Sequence, residues 1–126
     1  MTDEDRCEHD ELMLKQPYWT SAVVDERLRA VFSSADVMTA SVMLAGLMGE
    51  DPGGDPEVSD LATCRLMLAA LKVSGGDPLK LALWVEAAHG DPRDLIAAAE
   101  YHRQVQGGDE SARQADLSEY LAWLRG

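Results

Sequence analysis

Four times in this chain a glycine is followed directly by an aspartate: Gly54-Asp55-Pro56, Gly76-Asp77-Pro78, Gly90-Asp91-Pro92 and Gly108-Asp109-Glu110. Each pair carries both a stop and a start signal for a helix. Glycine takes the left-handed conformation that closes a helix or its following loop. Aspartate offers a carboxylate oxygen to the free N–H groups of the next helix. Proline at the first helical position loses nothing, because its N–H would have had no partner there. Linkers this short place consecutive helices side by side. The junctions lie 22, 14 and 18 residues apart, too uneven for a solenoid repeat.

The apolar spacing between the junctions is helical. Over 56–73, Val58, Leu61, Ala62, Arg65 and Leu68 recur at three- and four-residue steps. Leu81, Trp84, Val85 and Ala88 form a stripe in 78–89, and Leu95, Ala98, Ala99, His102 and Val105 form one in 92–106. Leu117, Tyr120, Leu121 and Leu124 mark a last helix over 110–125. Further upstream, Val24, Leu28, Val31 and Phe32 line one face of 21–33. The segment 36–48, with Ser34 as its expected cap, is apolar on nearly every side. Such a helix belongs at the centre of a bundle. Its apolar run is too short to cross a membrane.

No stretch alternates with a period of two between hairpin turns. The expected fold is all-α: a compact bundle of five to seven short helices joined by Gly-Asp(-Pro) junctions. Residues 1–16 form an acidic N-terminal segment, either a short helix closed by Pro17 or a disordered tail. Residues 17–126 form a single helical domain, since a chain of 126 residues buries a core without staples.

Net charge is −12, and it is concentrated. Asp3, Glu4, Asp5, Glu8, Asp10 and Glu11 face Arg6 alone in residues 1–11, a net of −5. Glu50, Asp51, Asp55, Glu57 and Asp60 give another −5 in residues 50–60, with no base. Charge of this sign disfavours phosphate backbones and anionic membranes and favours a protein partner with a basic surface. The Arg and Lys residues form no stripe, so direct nucleic-acid binding is not expected. The first eleven residues lack the basic and apolar regions of a secretory leader. Two cysteines, Cys7 and Cys64, make no disulfide framework, which points to a reducing cytoplasm. The Arg-over-Lys bias and abundant Ala fit a high-GC bacterial genome.

Chemistry-bearing constellations are weak. Cys7 and His9 are two residues apart, so on a helix they point in different directions; Asp5 and His9 are four apart, but two ligands do not make a metal site. His89, next to Gly90, suits the carbonyl end of a helix. The loop starting at Asp51 fails the calcium template, with Gly53 at position three and Ala62 at position twelve. No nucleophile elbow or phosphate-binding loop is present. No enzyme activity, metal or cofactor is therefore expected.

The first functional expectation is a non-enzymatic interaction or regulatory module. Its candidate partner-binding residues are the acids of both segments together with Tyr18 and Trp19, which follow Pro17 and are side chains favoured at binding hot spots. The alternative is a small-molecule-binding or catalytic domain with a pocket near Trp84, His89, His102 and Tyr101. A homodimer through apolar surface around 36–48 or 117–124 is the third.

Overall fold

The computed structural model describes residues 3–47 and 56–126, with side chains from 7–47 and 61–126. Within these residues the fold is all-α, without strands. The helices are α1 (Asp3–Leu14), α2 (Ser21–Val31), α3 (Val37–Ala45), α4 (Pro56–Ser74), α5 (Pro78–Gly90), α6 (Pro92–Glu100), α7 (His102–Val105) and α8 (Glu110–Arg125). Residues 3–14 are thus a helix. No described helix is long and apolar enough to cross a membrane.

Three of the four junctions lie within the described residues, and in each the aspartate caps. Asp77 accepts from the Leu79 N–H at 2.9 Å. Asp91 accepts from the Arg93 N–H at 3.0 Å, and Asp109 from that of Ala112 at 3.2 Å. The glycines divide the work less evenly than expected. Gly76 is left-handed, with φ of +88°, and a Cβ there would fall 2.7 Å from the Val31 carbonyl oxygen. At the last junction the left-handed residue is Gly107, not Gly108. Gly90 simply extends α5, and Asp91 ends that helix while starting the next.

The core is mostly Leu and Ala, with Trp19, Phe32, Tyr101 and Tyr120 also buried in it. Its centre corrects the sequence expectation. The helix enclosed by its neighbours is α4, which packs on α2, α5 and α6. Its successive residues Leu68, Ala69, Ala70 and Leu71 are all fully buried. The two small alanines between the leucines let helices approach α4 closely from more than one direction. By contrast α3 lies at the edge. Ala40 and Leu44 face inward, but Met38 is 79% exposed and Val42 70%. Its cap also differs: Asp36 precedes it, without a side-chain bond to the helix.

One predicted helix is divided. The 92–106 stripe breaks at Tyr101, whose φ and ψ are −148° and 42°. The cause is Asp116 on α8, buried at 2% exposure. Its carboxylate accepts from the backbone N–H of Arg103 at 3.0 Å and of Gln104 at 3.2 Å. In a continuous helix those donors would have bonded to the preceding turn of α6. The break turns Val105 out to solvent, 56% exposed.

Candidate functional site

Three features of this fold bear on function: a buried ionic joint, two surface grooves, and an exposed apolar face.

The joint connects α1, α4 and α6. Glu100 is the last residue of α6 and only 1% exposed. Arg65 of α4 grips it with two donors, Nε to Oε2 at 2.8 Å and Nη2 to Oε1 at 2.6 Å. This is the fork geometry that makes Arg–carboxylate pairs strong. His9 Nε2 lies 2.8 Å from Glu100 Oε1. An ionised carboxylate only accepts, so His9 donates from Nε2. Arg65 Nη2 also donates to Asp10 Oδ1 at 2.8 Å. The Tyr101 ring closes the site, edge-on to His9 at 4.9 Å.

Burial by itself would push the Glu100 carboxyl up. The hydrogen bonds from Arg65 and His9 and their charges outweigh it, holding Glu100 below the ordinary carboxylate value. Burial likewise works against the Arg65 charge, but Glu100 and then Asp10 raise the guanidinium above its usual value. A general acid or base must reach a substrate proton. Glu100 and His9 have side-chain exposures of 0% and 3%, and their bonding capacity is turned inward. The joint holds helices together.

A second cluster surrounds Asp116. Arg103 Nη1 donates to Asp116 Oδ1 at 2.9 Å and also pairs with Glu119. Glu119 lies 3.4 Å from Lys72 Nζ. Glu119 is held below its ordinary value, first by the Arg103 hydrogen bond. His102 Nε2 stands 3.4 Å from Asp116 Oδ1. Beside this cluster lies an open groove of about 560 Å³, lined by Lys72, Trp84, Asp94, His102, Gln106 and Glu119 among others. Two of the four residues expected at such a pocket are here. Tyr101 is instead buried against His9, and His89 sits beside Gly46 at the end of α3. A larger groove of about 870 Å³ runs between α2, α3 and α4, with Trp19, Leu28, Leu44 and Met67 in its walls.

The third feature is the outward side of α3 and α5. Leu79 is 69% exposed and Leu83 60%. They stand opposite the buried Leu81, Val85 and Ala88 of the same helix. Met38 and Val42 stand opposite Ala40 and Leu44 in the same way. The helices are neighbours, and they run in the same general sense. Gly76, before α5, abuts Val31 at the end of α2, and Gly46, after α3, lies against Val85 and His89.

Of the residues expected to bind a partner, Glu8 and Glu11 are exposed on α1. Asp10 is half-exposed and tied to Arg65. Trp19 is corrected: it is a core residue, 3% exposed, donating from Nε1 to the Met13 carbonyl at 2.6 Å. Tyr18 is half-buried, and its hydroxyl accepts from Arg125 Nε at 3.0 Å. Glu50, Asp51 and Asp55 lie outside the described residues, as do the side chains of Asp3, Glu4, Asp5, Glu57 and Asp60. Sequence reasoning missed Asp116 and the union of His9, Arg65 and Glu100. The available signal was Arg65 within an apolar stripe, since a buried charge needs a partner. Cys7 is exposed and Cys64 half-buried, and no disulfide joins them. Among the described residues no group of three His, Cys, Asp or Glu side chains is placed to hold a metal ion. Compared with known families, with curated proteins and with solved structures, the chain gives no match.

Proposed function

We propose that this chain is a non-enzymatic protein-interaction module that docks a partner on the outward face of α3 and α5. One observation carries the reading: Met38, Val42, Leu79 and Leu83, each at least 60% exposed, stand on the solvent side of two adjacent helices. Scattered exposed apolar residues are normal, but grouped ones mark interaction sites. The acidic segments, with exposed Glu8 and Glu11 on α1, supply the long-range field that draws in a basic partner. Affinity purification with the full chain, at low and high salt, tests it. Partners captured by the wild type should be lost with the doubly substituted Met38→Glu/Val42→Glu chain. An unchanged set of partners sinks the reading.

A second reading rests on the groove between Trp84 and His102. There a small molecule would stack on the indole and meet Lys72 and His102 with its polar groups. Screening fragments by tryptophan fluorescence checks this. Fragments that bind His102→Ala as tightly as wild type would remove it.

A further inference from the structure

We infer that the occupant of the α3/α5 face is an amphipathic helix whose apolar stripe is flanked by Lys and Arg; this rests on the interaction reading above and names the partner's chemistry. Shape comes first. Met38 and Val42 are four residues apart on α3, and Leu79 and Leu83 four apart on α5. Both pairs are therefore aligned along their helix axes. The two rows lie on neighbouring helices that run in the same general sense. A third helix laid along them meets both rows with residues at three- and four-residue steps. α3 has 9 residues and α5 has 13, about 13 and 19 Å of length, so the rows match roughly three helical turns of a partner.

Charge then selects the flanks. The floor is easily dehydrated, because residues 37–47 contain no charged side chain and little polar surface is left unpaired by a partner. The ends and edge carry Asp36, Asp77 and Glu86 against Lys80, a net of −2. The whole chain stands at −12. A second copy would bring −12 against −12 and repel. A helix with basic flanks gains from rim and field alike.

The probes are two synthetic helical peptides with the same leucine stripe, one flanked by Lys and the other by Glu. Each is titrated against the full chain by calorimetry at low and high salt, with light scattering of the chain alone. The Lys-flanked peptide should bind at least about ten-fold tighter than the Glu-flanked one, and less tightly in high salt. Met38→Glu/Val42→Glu should weaken it about ten-fold or more, the loss expected when anchor side chains go. Glu86→Lys should weaken it about three-fold, as a rim charge does. Leu12→Glu on α1, far from α3 and α5 in sequence and also solvent-facing, should leave binding unchanged. Thermal melts of every variant separate lost binding from lost folding.

Equal binding to wild type and Met38→Glu/Val42→Glu would overturn the inference, because charge alone would then explain the affinity. A preference for the Glu-flanked peptide would also overturn it. A dimer that Met38→Glu/Val42→Glu dissolves would put a second copy on the face: the named occupant falls and the interaction reading stands. A monomer that binds neither peptide, and whose captured partners survive those substitutions, removes both.

Discussion

The joint around Glu100 and the outer face of α3 and α5 invert the usual rule of polar outside and apolar inside. Three ionisable side chains, His9, Arg65 and Glu100, meet at a nearly dry point with Asp10 at its edge, while four large apolar ones stand in water. The difference lies in where each group finds its complement. Glu100 obtains three donors from α1 and α4, and its charge is balanced within the chain. Met38, Val42, Leu79 and Leu83 have no such complement among the described residues. Internal satisfaction makes the first region a part of the scaffold; its lack in the second is what the interaction proposal rests on.

Substitutions can break or sharpen this contrast. The largest effect should come from Glu100→Ala, which strands the Arg65 guanidinium at a buried site. Urea denaturation should show a loss of about 3–5 kcal/mol. A loss below about 1 kcal/mol would mean that the joint is hydrated and replaceable. The same carboxylate has a pH signature. Its folded pKa lies below the unfolded value, so its stabilisation is present above about pH 4.3. That contribution fades as pH falls through the depressed folded value. Wild type and Glu100→Gln should therefore converge in stability in acid; a constant gap between them at every pH would refute the linkage.

Next in size is Leu81→Ala, on the inner side of α5, at about 2–5 kcal/mol. Cap removal follows. Asp77→Ala and Asp91→Ala should each cost about 0.5–2 kcal/mol, and unchanged urea midpoints would discredit the capping account. The smallest effect belongs to Leu83→Ala, two residues from Leu81 but facing out, within about ±0.5 kcal/mol. If Leu83→Ala costs as much as Leu81→Ala, then α5 has no free side and the contrast collapses.

Local chemistry explains how much of this was legible in the sequence. The aspartate caps were readable because donor and acceptor lie within three residues of each other. The stripes of α6 and α8 were readable because polar residues mark their outer sides. The position of α3 was not. An unbroken apolar pattern says that the helix wants cover, but it does not say whether the chain supplies it. The break at Tyr101 was equally hidden, since the side chain that causes it acts from 13 residues downstream of Arg103. Within the joint, Arg65 was conspicuous in its stripe, but nothing local named Glu100 or His9 as its partners. As for the outer face, Leu79 and Leu83 lie within the same apolar segment as the core stripe, and nothing local separates them from it.

The hydrogen bond between His9 and Glu100 spans 91 residues of chain, and this gives the molecule a temporal order. α4 contacts α5, its neighbour in sequence, and α6, the helix after that, so these contacts close small loops and should form early. α1 must wait until both halves of its binding site, Arg65 and Glu100, are already assembled. Run backwards, the same logic makes α1 the segment that leaves first. Its amides should exchange with solvent through a local opening, well before those of Leu68 to Leu71.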